Sequence, residues 1–239
     1  MNSIILKPAK SIIKKYMWRL PSSVVLMFHH VTNTPECKRS GCLLESENFY
    51  CILNQVKAFI SCENLLSAKP HEFAKKVAIT FDDGLADIYL IAYPYLKQRN
   101  IPFTVFIVSD FLDTEGYITT EQLKEMAKDP LVTIGSHGIS HEILPSLSVE
   151  QKWEEIEASK RELEKIAGKK IKLFAYSHGQ YDDKCLEMVS KAGYEGAFSV
   201  KGFPFNFYTR NWMYHLPRYN VVNGEVEKIV SIIHSLYNI

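Results

Sequence analysis

From residue 24 onward the chain alternates short apolar runs with longer stretches whose apolar residues return every three or four positions. Mostly apolar runs of four to seven residues predict strands in a buried sheet, and the longer spacing predicts helices. On this basis strands are expected at 24–28, 77–81, 102–108, 131–134, 171–176, 197–200 and 216–222. Helices are expected at 48–60, 86–99, 119–128, 149–167, 182–192 and 225–237, while 31–47, with Pro35 and Gly41, reads as a long loop. Start and stop signals sharpen some of these. Thr119, Thr120, Glu121 and Gln122 open a helix that Pro130 ends, and Ser148 with Gln151 forms a capping box for a helix that stops at Gly168.

Repeated alternation of strand and helix predicts a mostly parallel sheet covered by helices. No repeat, low-complexity stretch or linker divides the chain, so residues 1–239 are expected to form a single domain, closed by the helix in 225–239. The chemically equipped side chains all follow predicted strands: His29 after the first, Asp82 and Asp83 after the second, then His137 and His141, then His178. Parallel barrels assemble their active sites at that carboxyl-end face.

Each of these groups has an ordinary reading by itself. Asp82-Asp83-Gly84 would serve as a strand-end turn capping a helix, and two histidines near a loop are commonplace. Together they offer an oxygen ligand, two imidazoles and a spare carboxylate, the donor set of an open catalytic zinc-type site with a base beside it. A metalloprotease of the His-Glu type is excluded, because Gly138 stands where the glutamate is needed. A glycosidase pair needs carboxylates roughly 5–9.5 Å apart across a sugar ring. Neighbouring aspartates on an extended backbone point to opposite sides and do not straddle a glycosidic bond.

Composition changes little in this picture. With 239 residues, 46% hydrophobic and 23% charged, the chain is of ordinary globular type. A formal net charge of +1 argues against nucleic acid as a partner. The five cysteines form no Cys-x-x-Cys pair, which points to a reducing compartment and away from a cysteine zinc site or a disulfide framework. The first 22 residues are basic, with Lys7, Lys10, Lys14, Lys15 and Arg19 and no acid before Glu36. They read as a helix packed on the domain, with a weak membrane-surface contact through 1–19 as the alternative. No export signal is recognised, so a cytoplasmic location is expected.

Thr80-Phe81-Asp82-Asp83-Gly84, followed by the segment from Ser136 to Leu144, resembles the first two motifs of the NodB-homology polysaccharide deacetylases, carbohydrate esterase family 4. The resemblance extends over 24–222, through Phe174 to Tyr181 near the third motif and on to Leu216-Pro217-Arg218. The opening Leu26-Met27-Phe28-His29-His30-Val31 is similar to the exopolysaccharide-modifying branch. It implies a distorted (β/α) barrel of about seven units and a deacetylase of N-acetylated oligo- or polysaccharides, lipid-linked or free. Carried over by position, Asp83, His137 and His141 hold a divalent metal, zinc first, with cobalt, nickel or iron as alternatives, and Asp82 is the general base. His29, Tyr176 and Gly179 are the implied substrate-binding positions, and a backbone N–H near His178 the oxyanion donor.

Two departures from the family pattern matter. Gly138 replaces the usual Ser or Thr after the first metal histidine, which removes a hydroxyl that orients the ligands. The third motif has Ala175, Tyr176, Ser177 and His178 in place of Arg-x-Pro-Tyr. Arg218 is therefore a candidate partner for Asp82. The general acid is open among His178, ranked first, His29, His215 and His234. An O-acetyl esterase or small-amide hydrolase on the same scaffold and a silent carbohydrate-binding protein are the rival readings.

Overall fold

The computed structural model describes residues 23–33, 42–67, 75–200 and 212–237, so the basic segment 1–22 lies outside the described residues. In chain order the elements are β1 (Val24–Phe28), β2 (His30–Thr32), β3 (Leu43–Glu45), α1 (Ser46–Asn54), α2 (Cys62–Ser67), β4 (Val77–Phe81), α3 (Tyr93–Gln98) and β5 (Phe103–Ile107). They continue with α4 (Thr120–Lys128), β6 (Val132–Ser136), α5 (Val149–Ala167), β7 (Leu173–Ala175), α6 (Asp183–Lys191), β8 (Gly196–Phe198), β9 (Tyr219–Asn220) and α7 (Val226–Tyr237). Seven strands form one sheet in the order β8-β7-β6-β5-β4-β1-β9, every neighbouring pair parallel. Leu216 bridges to Phe198 of β8, and Tyr219 pairs with Leu26 of β1. The segment 216–220 thus carries one edge strand, β9, beside β1 and also bridges to the other edge strand, β8, so the sheet curls into a distorted barrel.

Strand parity sorts the side chains into two cores. Leu26, Phe28, Ile79, Phe81, Phe103, Val105 and Ile134 belong to the large cluster that includes helix residues such as Ile156 and Leu163. Val25, Ala78, Phe106, Leu173, Ala175, Phe198 and Leu216 form the smaller cluster on the opposite face, the barrel interior. Continuing that second parity past each strand end reaches His29, Asp82 and His137, and on the closing segment Arg218. The space inside is filled tightly. A Cβ at Gly135 would lie 2.5 Å from the Phe106 ring and 3.1 Å from the Leu173 carbonyl, so only glycine fits there.

Several elements differ from the pattern-based expectation. The stretch 31–47 is not all loop: β2 and β3 pair in parallel through Val31 and Leu44, both fully buried, and α1 begins at Ser46. The helix expected to run to residue 60 ends at Asn54. Ala58 and Ile60 instead exchange backbone hydrogen bonds with Val77, so sheet pairing overrides local helical spacing. The helix over 86–99 is π-helical at Ile88–Ala92 before turning α at Tyr93. Pro94 has no N–H to return to the preceding turn, which gives a reason for the widened turn. Of the strand expected over 216–222 only β9 and the Leu216 bridge are regular. Both capping boxes are present, at Thr119 with Gln122 and at Ser148 with Gln151, and Gly168 takes the left-handed stop at φ 66°.

Candidate metal centre

Immediately after β4 the backbone turns sharply: Asp83 has φ 70° and Gly84 φ 75°. Left-handed backbone is tolerated by aspartate and favoured by glycine. The turn separates the two carboxylates. Asp82 stays on the inward parity, 2% exposed, while Asp83 swings towards the histidines after β6. His141 and His178 are also left-handed, at φ 65° and 55°. A non-glycine residue held there costs about 1–3 kcal/mol, and such strain gathers at functional sites.

Asp83 Oδ1 lies 3.6 Å from His137 Nε2 and 3.4 Å from His141 Nε2. The three ligand atoms fall within 4.8 Å of one another. Two donors each about 2.1 Å from a tetrahedral zinc lie roughly 3.4 Å apart, so the spacing suits one cation between them. Asp83 Oδ1 is buried and has no hydrogen-bond partner among the described residues, a costly state unless a cation takes its lone pairs. His137 is 2% exposed and its Nδ1 lies 2.7 Å from the Ala175 carbonyl. A carbonyl only accepts, so Nδ1 carries the proton and Nε2 presents its lone pair to the cation. At His141, burial, with His137 alongside, lowers the pKa to about 4 despite Asp83, so its ring is neutral and able to ligate at neutral pH.

Asp82 is held differently. Arg218, wholly buried, donates from both terminal nitrogens to its two carboxylate oxygens at 2.6 and 2.7 Å. The guanidinium also donates to the Ser199 carbonyl and to Thr80 Oγ1, and lies 5.3 and 5.9 Å from the ring centroids of Phe106 and Phe198. Burial pushes the Asp82 carboxyl upward, but Arg218 and then His137 outweigh it and bring the pKa down to about 2. Asp82 is therefore ionised at neutral pH, with Oδ2 3.8 Å from His137 Nε2.

The remaining histidines separate cleanly. His29, next on the inward parity after β1, is half-buried with Nδ1 unpartnered, and burial lowers its pKa although Asp82 and Asp83 oppose this. His178 is exposed, its ring centroid 4.7 Å from that of His141. His215 stacks on Tyr181, and His234 bonds Gln55 just after α1, which takes His234 out of the site. Two of the expected substrate-binding positions, Tyr176 and Gly179, are buried. Tyr176 carries the outward parity of β7, is wholly buried and donates its hydroxyl to the Tyr214 carbonyl, so it is a wall residue. Gly179 is buried and its N–H donates to the Tyr176 carbonyl at 2.8 Å.

Sequence reasoning missed Glu155. It sits on the buried stripe of α5 with Lys152, Ile156, Ser159 and Leu163. Its Oε2 accepts the N–H groups of Ile139 (2.8 Å) and Ser140 (3.1 Å), and Oε1 accepts the Ser140 hydroxyl at 2.5 Å. Polar residues (Lys152, Glu155 and Ser159) sharing the helix face of Ile156 and Leu163 were the available signal. The hydroxyl lost at Gly138 therefore leaves no loose loop, since this carboxylate ties down the residues between the two histidines.

The family model for polysaccharide deacetylases matches residues 70–197. This chain belongs to that family. A stretch of 127 residues is 35% identical to YxkH of Bacillus subtilis, named as a polysaccharide deacetylase, covering 53% of this chain and only 44% of that one. The poly-β-1,6-N-acetyl-D-glucosamine N-deacetylase of Staphylococcus aureus is 27% identical over 250 aligned positions, 91% of this chain and 84% of the relative. Among solved structures, the Streptococcus pyogenes deacetylase PplD in complex with acetate superposes with a TM-score of 0.78 at 24% identity, covering 89% of this chain and 98% of that one. IcaB from Ammonifex degensii gives 0.76 at 20%, covering 89% and 97%. At those identities the likeness is one of fold, and it agrees with the curled parallel sheet described above.

Proposed function

We propose that this protein removes acetyl groups from N-acetylated amino sugars of a polysaccharide, with a divalent cation held by Asp83, His137 and His141. The observation that carries the reading is a buried, partnerless carboxylate oxygen at ligand distance from two imidazoles, beside a second carboxylate kept ionised. The staphylococcal relative supports a β-1,6-linked N-acetylglucosamine polymer as the substrate class. The donor set suits zinc first, with cobalt, nickel or iron as alternatives. Once bound, the cation supplies Lewis-acid polarisation of the acyl oxygen and acidifies water.

The chain's own groups supply the rest. Asp82 accepts the proton of the attacking water at a carboxylate that Arg218 holds in one orientation. The His178 N–H donates to the oxygen that becomes negative as the carbonyl is attacked. Departure of an amine requires a proton, and His29 is the donor favoured here once its ring has taken one up: burial disfavours that imidazolium, and the charges of Asp82 and Asp83 beside it favour it. It emerges on the inward parity beside both aspartates and has a partnerless ring nitrogen, whereas His178 is exposed on the rim.

Acetate release from β-1,6-linked N-acetylglucosamine oligomers and from O-acetylated sugars tests the reading. Asp82→Asn should keep the metal and lose about 10²–10⁴ in kcat, the range for removing general-base help. His29→Gln should lose activity on the N-acetyl substrate yet retain it on an activated phenyl acetate, whose leaving group needs no proton. Equal losses on both substrates would remove His29 as the acid. Turnover of O-acetyl sugars alone would shift the assignment to an esterase.

A further inference from the structure

We propose that Glu155 is a positioning residue that pre-organises His141 as a cation ligand. The proposal rests on the reading of Asp83, His137 and His141 as a cation site and adds a residue from outside the strand-end loops.

His137 needs little help, because it follows β6 directly and its Nδ1–H is pinned to Ala175. His141 is four residues on, beyond any strand, in a left-handed conformation that a histidine resists. What stands between it and β6 is the segment 138–140, and Glu155 takes three donors from it: two amides and one hydroxyl. Charge-assisted bonds of this kind are about twice as strong as neutral ones. The carboxylate is carried on α5, a 19-residue helix with a capping box at one end and a left-handed glycine at the other. The loop is therefore tied to a rigid body rather than to another loop.

Gly138 fits the same arrangement. Its φ is 85°, and a Cβ there would lie 2.7 Å from Glu155 Oε2. The glycine and the glutamate are thus mutually required: the carboxylate approaches the loop only because no side chain stands at 138. Further bonds brace the site from the same helix, since Ser159 Oγ lies 2.8 Å from Ser136 Oγ, which accepts the Gly138 N–H.

The test is cation affinity of the folded protein, measured by chelator competition after stripping and reloading with Zn²⁺ or Co²⁺. Groups that orient ligands typically change metal affinity by 10–100-fold. Glu155→Ala should weaken binding by about 100-fold and alter the visible Co²⁺ spectrum. Glu155→Gln, which keeps an acceptor and loses the charge, should weaken it by about tenfold. Leu163→Ala, two turns further along the same helix, should lower the melting temperature with unchanged affinity. Should Glu155→Ala fail to fold, the Gln variant carries the test. Wild-type affinity in the Glu155 variants, with binding lost in Asp83→Asn, would overturn the role of Glu155 and leave the cation site standing. Wild-type affinity in Asp83→Asn as well would overturn both.

Discussion

Arg218→Met is expected to destabilise the protein by about 3–5 kcal/mol at neutral pH, the range for breaking a buried ion pair from one side. Asp82 would then be an unpaired carboxylate at 2% exposure, having lost both charge-assisted bonds. A loss of that size is a large share of the 5–15 kcal/mol typical of a folded domain. The sign with pH follows from the depressed pKa. Asp82 titrates at about 2 in the folded protein against roughly 3.9 unfolded, so its contribution is complete above pH 4 and disappears as the pH falls towards 2. The cost of Arg218→Met should shrink over that same acid window. The double variant Asp82→Asn, Arg218→Met should recover much of the loss, because no buried charge remains. Urea unfolding of the four proteins at pH 7 measures the cycle, and a loss below about 1 kcal/mol for Arg218→Met would mean that the pair is as weak as an exposed one.

Asp83→Asn and His137→Ala should each abolish stable cation binding and reduce acetate release by about 10³-fold or more. Lewis-acid stabilisation contributes several kcal/mol, and each 1.36 kcal/mol is a factor of ten in rate. Asparagine keeps the shape of Asp83 but offers a neutral oxygen where an anion is needed. In His137→Ala the inward-facing ligand disappears and the Ala175 carbonyl loses its donor. Metal content after dialysis, read beside acetate release, checks both. Full occupancy in either variant would show that the cation is held elsewhere. Both variants leave the Asp82–Arg218 pair in place, so their stability should fall less than that of Arg218→Met.

Much of the architecture was legible because it is encoded locally. Seven apolar runs predicted seven strands, and the capping boxes at Thr119 and Ser148 with the stop at Gly168 depend on side chains within a turn of the backbone they bond. The pairs Asp82-Asp83 and His137/His141 stood out because strand ends in parallel folds share one face. The failures have one cause. Helical spacing over 48–60 gave way at 58–60 to pairing with Val77, and the short strands β2 and β3 carry too few residues for any period to register. Tyr176, a substrate position by resemblance to the family, lies on the outward parity of β7, a placement that only the sheet reveals.

The order of strands and helices, the turn residues and the chemical types waiting at the strand ends all follow from local pattern along the chain. Tertiary structure alone decided which of them meet. Arg218 reaches Asp82 across 136 positions of chain because the closing segment 216–220 bridges both sheet edges. Glu155 reaches the histidine loop because α5 packs its buried stripe against the sheet, and His29 rather than His234 faces the aspartates because of strand parity and helix placement. Local rules act within a few residues, whereas a buried ion pair or a shared cation needs groups brought together at ångström distances by the packing of the whole barrel.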